Sequence, residues 1–351
     1  MEGFSIVVCT YNGKKMLEKS LSYLANLKTD LFALELIVVD NNSNDGTYDY
    51  VKEVWNSFKN PYPLNLLTEK KSGKFHASVK AFNAAKYENI IICDDDNLLD
   101  NNFCIIAHLI LKANPSVGII GSYGTPEFEG EAPIWFDHFQ HIFACGHQAK
   151  QSGLIADESA FIWGAGMIFK KKIWDTIHHQ LKHSFLLNEL RNKKESSGGD
   201  DSELVEITRW LGYDLFYDDR LKYKHIMPED RMNLNYLKKR FRGLGKSRIY
   251  LQAYQYCFNH NEMPDKTLNY PFWKDKLKYR KKERNLLFFK NFFKKSKPEN
   301  FHELLKYEAL IGEINEIKKL KDGYIEVFNQ LFLLKNKIKS YNDQIVQIKS
   351  I

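Results

Sequence analysis

Cysteine pairs, long apolar runs and glycine-rich nucleotide fingerprints are all missing from this 351-residue chain. Its five cysteines, Cys9, Cys93, Cys104, Cys145 and Cys257, are scattered and odd in number, with no CxxC pair. That argues against a disulfide framework and for buried thiols in a reducing cytoplasm. No apolar stretch approaches the roughly 18 residues needed to cross a bilayer. A strand-like run begins almost at once, so no signal peptide is expected and the protein should be cytoplasmic. The GxGxxG fingerprint is absent. Gly243-Leu244-Gly245-Lys246-Ser247 has the ending of a P-loop, but Arg240 stands where its first glycine belongs and no strand precedes it. His138, His141, Cys145 and His147 have zinc-like spacing, yet no second cysteine pair accompanies them.

What is present describes a folded globular chain: 44% of residues are hydrophobic and 14% aromatic. The formal net charge of +7 is unevenly spread. Between Lys274 and Lys297 there are eleven Lys or Arg against two acids, Asp275 and Glu283. An anionic surface is the partner this composition suggests.

The first 120 residues alternate strand-like and helix-like segments. Phe4–Cys9 is a β-branched run, and Lys14–Leu27 has apolar residues at helical spacing. Strands are expected at Leu34–Val39, Leu64–Leu67 and Ile90–Cys93, with helices from Thr47 and over Ser72–Lys86. This alternation predicts an α/β fold with a mostly parallel sheet flanked by helices. Its ligand should lie beyond the carboxyl ends of the strands, where Thr10, Asp40 and Asp94–Asp96 all fall.

Asp94, Asp95 and Asp96 close the apolar run Ile90–Cys93. Clustered carboxylates repel one another unless a cation sits among them. Hard oxygen ligands on a short turn suit Mg²⁺ or Mn²⁺, which in turn suit a diphosphate. A solvated acidic turn is the alternative.

Together these segments resemble the family-2, GT-A-fold glycosyltransferases. Ser5–Gly13 is similar to that family's opening strand and turn, and Glu35–Thr47 to its second. Gly73-Lys74, Ala77 and Asn83–Ala85 resemble the helix before the metal turn, Asp94–Asp96 the DxD motif, and Gly199–Asp201 with Glu203-Leu204 the "ED" motif. This chain departs from that last pattern in having Asp200 for the usual Glu. The resemblance covers about residues 3 to 245.

The resemblance implies an inverting, metal-dependent transfer from a nucleotide-sugar donor, a UDP-sugar first, to a hydroxyl of a glycan or lipid-linked acceptor in bacterial-type surface polysaccharide assembly. Asp40 would accept a hydrogen bond from the uracil imide, with Thr10, Tyr11 and Asn12 around the nucleoside. Asp94 and Asp95 would serve the donor, and Asp96, Asp94 and His225 the divalent metal. Lys74 and Arg240 are phosphate or ribose contacts; a surface lysine is the other reading of Lys74, and a structural histidine that of His225. Asp201, neighboured by Asp200, would be the base that inversion requires, although a helix N-cap pair also fits. Trp163, Gly164 and Ala165 resemble the segment under the sugar and acceptor; a strand with a bulge is the alternative. Processive members carry a Gln/Arg/Trp signature near Lys239–Arg242. The Trp is absent here, so a single transfer is expected. Other classes remain open: an inactive nucleotide-sugar-binding scaffold, or a nucleotidyltransferase.

Three regions are expected: a GT-A domain over 1–230, a basic helical segment over 231–300 and a helical tail over 301–351. In the tail, Ile317, Leu320, Tyr324, Val327, Leu331, Leu334, Ile338, Tyr341, Ile345 and Ile348 repeat at spacings of three and four, which predicts a coiled-coil homodimer. A helix packing back on its own chain is the competing reading. Residues 274–297 interleave cations with Leu and Phe, fitting a peripheral contact with the inner face of the cytoplasmic membrane, or a helix docked on the enzyme. No nucleic-acid recognition motif is present.

Overall fold

The computed structural model describes residues 2–157, 160–183, 200–262, 272–292 and 301–349. Two compact units emerge. One comprises Met1–Glu131, His138–Gln180 and Gly212–Pro228; the other comprises Ala132–Asp137, Leu181–Leu211 and Glu229–Ile351.

The first unit is built on a nine-stranded mixed sheet. Strands β1 (Gly3–Thr10), β2 (Ala33–Asp40), β3 (Leu64–Thr68) and β4 (Asn89–Ile92) lie parallel in the order β3-β2-β1-β4. Their crossovers are α1 (Lys14–Ala25), α2 (Thr47–Ser57) and α3 (Lys74–Ala84). The β-branched runs are buried on both faces, as parallel strands between helix layers must be. Phe4, Ile6 and Val8 share one core with Leu17 and Leu21 of α1, Trp55 of α2 and Phe103 of α4 (Phe103–Ala113). Farther along the sheet Phe82 of α3 packs on Phe169 and Trp174, with ring centroids 5.2 and 5.0 Å away.

Beyond β4 the sheet continues with β8 (Ile168–Lys170), β6 (Val117–Phe128), β9 (Asp214–Met227) and β5 (Asn97–Leu99), while β7 (Gly153–Leu154) pairs with β9. Asp214–Tyr217 is expected to be a separate strand ended by a turn at Asp218-Asp219. Instead β9 continues through these residues to Met227, and its register against β6 shifts between Gly121 and Tyr123. Asp218 bonds Arg220 locally at this irregularity, the Arg220 Nη2 donating to Asp218 Oδ2 at 2.7 Å. The extra residues are absorbed by a bulge, which keeps His225 in the sheet.

The second unit is helical over α5 (Asp200–Trp210), α6 (Leu234–Asn259), α7 (Phe272–Phe292), α8 (Phe301–Leu320) and α9 (Gly323–Lys349). Gly243-Leu244-Gly245, the P-loop-like segment, lies inside α6. A Cβ on Gly245 would stand 2.0 Å from the Ala309 carbonyl oxygen, and one on Gly312 would stand 2.1 Å from that of Arg242. Reciprocal glycines thus bring α6 and α8 backbones together. Three buried glutamates of α8 answer the basic helices. Arg242 bonds Glu308, Arg248 reaches Glu313 at 3.0 Å, and the Tyr250 hydroxyl donates to Glu316 at 2.7 Å.

The tail differs from expectation. Its apolar stripe crosses a break between α8 and α9, where Lys321 takes a φ of +47°. Tyr324, Val327, Leu331, Leu334 and Ile338 are buried within the single chain. This part of the stripe expected to form a dimer seam is therefore covered, because the break lets α9 pack along α6 in the same unit, while Tyr341 and Ile345 are half-buried. Lys335 fixes that packing by donating to the carbonyls of Cys257, Phe258 and His260 and to Asn261 Oδ1 at 2.7–3.1 Å. The expected turn at Ser196–Gly199 and the end of the basic run, residues 293–297, lie outside the described residues. Among the described residues, no helix is long and apolar enough to cross a membrane.

Candidate functional site

Parallel pairing aligns the strand ends. Thr10 is the register partner of Asp40, and the Asn41 N–H donates to the Thr10 carbonyl at 2.8 Å. Asparagines then join the loops that follow. Asn12 adopts a φ of +51°, a left-handed conformation that asparagine tolerates. Its N–H donates to Ser43 Oγ at 2.8 Å, and its own Oδ1 accepts from the Asn44 N–H at 2.9 Å. Asn41 donates to the carbonyls of Glu69 and Lys71 and accepts from the Gly73 N–H at 2.8 Å, setting the entry to α3. Asp40 is buried and accepts from the Ser43 N–H at 3.3 Å, while Tyr11 stands exposed.

The three aspartates occupy a tight turn in which the Asn97 N–H donates to the Asp94 carbonyl at 3.0 Å. Each carboxylate meets a different neighbour. Asp94 pairs with Lys74 at the start of α3. Asp95 accepts from the Thr10 hydroxyl at 2.6 Å. Asp96 is buried, accepts from Asn97 Nδ2 at 3.2 Å and lies 3.3 Å from His225 Nε2. The β5–β9 pairing delivers that histidine, since Asn97 and His225 are register partners. His225 Nδ1 lies 2.7 Å from the Phe143 carbonyl, so this nitrogen donates and Nε2 faces the aspartate.

These neighbours shape the charges. Burial pushes the Asp95 carboxyl up to about 7, with Asp96 adding to the rise and the Thr10 hydrogen bond opposing it. Burial disfavours the His225 imidazolium, but Asp96 outweighs it and holds the pKa well above the ordinary histidine value. Among the described residues, no group of three or more His, Cys, Asp or Glu is arranged to hold a metal. Asp94, expected to share the ion, is paired with Lys74. The zinc-like cluster does not assemble either; the His147 Nδ1 is hydrogen-bonded to the Tyr217 hydroxyl at 2.9 Å, and Cys145 Sγ donates to the Phe143 carbonyl.

The ends of β1, β2 and β4, with the acidic turn, fall within a match to a known family. Residues 5–177 fit Glycosyl transferase family 2. The chain carries a family 2 glycosyltransferase domain. Among curated relatives, the poly-beta-1,6-N-acetyl-D-glucosamine synthase of Staphylococcus epidermidis is 25% identical over 187 residues, 50% of this chain and 43% of that protein. The poly(ribitol-phosphate) beta-N-acetylglucosaminyltransferase TarP of Staphylococcus aureus is 28% identical over 179 residues, 50% of this chain and 51% of that protein. The chain thus spans about half the length of these relatives. Among solved structures, a mannosyltransferase from Pyrobaculum calidifontis in complex with GDP-Man and Mn²⁺ matches with a TM-score of 0.53 at 18% identity, over 97% of this chain and 87% of that one. The fold is GT-A, as the motif order predicts.

Within the family 2 domain, Trp163, Gly164 and Ala165 precede β8 in a turn rather than a bulged strand. The Gly166 N–H donates to the Ile92 carbonyl at 3.0 Å, fixing this turn to the end of β4. Gly166 has a φ of +66°, and a Cβ there would lie 2.4 Å from Ser122 Oγ. The Trp163 N–H donates to Gln148 Oε1 at 3.0 Å. Asp200, Asp201 and Arg240 belong to the second unit. Asp200 and Asp201 open α5, where Asp201 Oδ1 accepts from the Ser202 N–H at 2.8 Å, and Arg240 lies half-buried in α6.

Three residues escape a reading of the sequence. Asn97 braces the acidic turn, Asn41 the entry to α3, and Gly13 makes room for the Thr10–Asp95 bond. A Cβ on Gly13 would stand 2.0 Å from Thr10 Oγ1 and 2.6 Å from Asp95 Oδ2. Only the asparagine directly after three aspartates offered a hint, since Asn commonly bonds its own turn.

Proposed function

We propose that this protein is an inverting, metal-dependent glycosyltransferase that moves a sugar from a UDP-sugar to a hydroxyl of a glycan or lipid-linked acceptor in surface polysaccharide assembly. The convergence of Thr10, Asp40 and Asp94–Asp96 at adjoining strand ends, with His225 against Asp96, carries this reading. Asp40 accepts the imide hydrogen of uracil, with Thr10, Tyr11 and Asn12 around the nucleoside. Asp94 and Lys74 face the ribose and phosphates, with Asp95 beside them, and Arg240 supplies a further cation. A carboxylate and an imidazole, Asp96 and His225, are a donor pair that would hold a divalent cation such as Mn²⁺. Held there, it would supply positive charge to the departing diphosphate.

Trp163, Gly164 and Ala165 border the sugar and acceptor. Asp201, with Asp200 beside it, takes the proton from the acceptor hydroxyl. Its oxygen attacks the anomeric carbon from the face opposite the leaving nucleotide, and the configuration inverts. Two curated relatives are named for N-acetylglucosamine polymer synthesis or N-acetylglucosaminyl transfer, which favours UDP-N-acetylglucosamine as the first donor.

The test is turnover of UDP-, GDP- and dTDP-sugars with Mn²⁺ or Mg²⁺, with GDP-mannose as the contrasting donor. UDP-N-acetylglucosamine should be bound and consumed. Asp201→Asn should keep donor affinity and lose about 10²–10⁴-fold in rate, the usual weight of a general base. Donor binding without turnover under any condition would favour a scaffold, and binding of no nucleotide sugar would remove the proposal.

A further inference from the structure

Helix α7 turns the usual amphipathic arrangement round: it spends its ion pairs inward and leaves aromatic and aliphatic side chains outside. On its inner side Arg280 pairs with Glu313 at 2.6 Å and Glu283 at 2.8 Å, and Lys306 reaches Glu283 at 3.4 Å. Lys276 donates to Gln252 at 2.7 Å, and Leu287 is buried. The outer side carries exposed Lys278, Lys281 and Lys282, with Lys274 over the Trp273 ring, and a single carboxylate, Asp275. Tyr279, Leu286 and Phe288 are 62%, 56% and 50% exposed on the same side.

At 3.6 residues per turn these positions span about half the helix circumference. The lysines fill the middle of the arc. Tyr279 and Leu286 lie at one margin and Phe288 at the other. The helix is held by its inner pairs, and the outer apolar groups stay at least half exposed although the Phe288 ring lies 6.3 Å from that of Tyr307 and the Arg280 guanidinium 5.5 Å from the Tyr279 ring.

We propose that this outer face of α7 is a docking surface for an anionic lipid bilayer. Lysines at the centre match the negative surface potential of acidic headgroups. Tyrosine, leucine and phenylalanine at the margins enter the boundary between headgroups and acyl chains, where such side chains are favoured. A soluble polyanion would use the lysines but give no reason for the exposed apolar groups. The contact holds the chain at the surface where the lipid-linked acceptor of the proposed reaction resides.

Co-sedimentation of the full chain with vesicles tests this, comparing pure phosphatidylcholine with mixtures containing phosphatidylglycerol. Binding should require phosphatidylglycerol and weaken with salt. Each lysine is worth about a fivefold change in partitioning, so K278Q/K281Q/K282Q should lose about a hundredfold. L286S/F288S should lose about tenfold or more with the salt dependence retained. Both variants should keep the wild-type thermal unfolding profile and donor turnover in solution. No binding to anionic vesicles at low salt, or wild-type binding by the triple variant, overturns the proposal. So does loss on lysine removal with indifference to L286S/F288S, which would mark a polyanion site. Binding is read without donor or acceptor, so its failure leaves the transfer reaction untouched.

Discussion

The Thr10 hydroxyl donates to Asp95 at 2.6 Å, joining the end of β1 to the acidic turn 85 positions later. This bond separates the roles of three neighbouring aspartates. With Asp95 on Thr10 and Asp94 on Lys74, Asp96 is left to His225. Identical side chains in a row thus acquire different chemistry from the elements each one faces.

Gly13 guards that bond. Gly13→Ala places a methyl group where Thr10 Oγ1 and Asp95 Oδ2 now meet, so one or both must move. Misplacement on this scale costs an active site up to about a hundredfold. Donor turnover per KM should fall about 10–100-fold while circular dichroism stays unchanged. Turnover equal to wild type would show that the Thr10–Asp95 contact does not position the site.

Glu206 should make stability depend on pH. Burial raises its carboxyl to about 7 from an ordinary 4.5, against the opposing pull of Arg209. The folded protein therefore keeps a proton that the unfolded chain releases between those values. Its contribution is full below about pH 4.5 and is lost as pH rises through about 7. Glu206→Gln should unfold with urea like wild type at pH 5 and be more stable by ~1–3 kcal/mol at pH 8. A constant difference at both pH values would contradict this.

Lys335 answers four acceptors at the end of α6. Lys335→Met keeps the apolar stem but leaves those carbonyls to water. The loss should be ~1–2 kcal/mol, as for hydrogen bonds from a charged donor at a helix C-terminus. Thermal melts would record it, and limited proteolysis should cut α9 sooner. An unchanged melting temperature would mean that the apolar stripe alone holds α9.

Much of the fold was legible because local rules governed it. The runs at Phe4–Cys9, Leu34–Val39 and Ile90–Cys93 had to be buried strands, and their spacing left room only for crossover helices. The Thr10, Asp40 and Asp94–Asp96 positions followed, since parallel strands place their carboxyl ends at one edge. The tail left two readings open because a stripe at spacings of three and four is the same whether its partner is another chain or α6. The Asp218-Asp219 turn was misread because a bulge and a turn use similar polar residues.

Sequence by itself determined the strand–helix alternation, the family resemblance and the residues that fall at the strand ends, because hydrophobic period and turn chemistry act between near neighbours. Tertiary structure alone decided which aspartate faces which partner, that Gly13 must lack a side chain, and that Tyr324, Val327, Leu331, Leu334 and Ile338 of α9 are buried within the chain. Those facts depend on atoms brought together across tens of residues, where no periodicity in the chain records the distance.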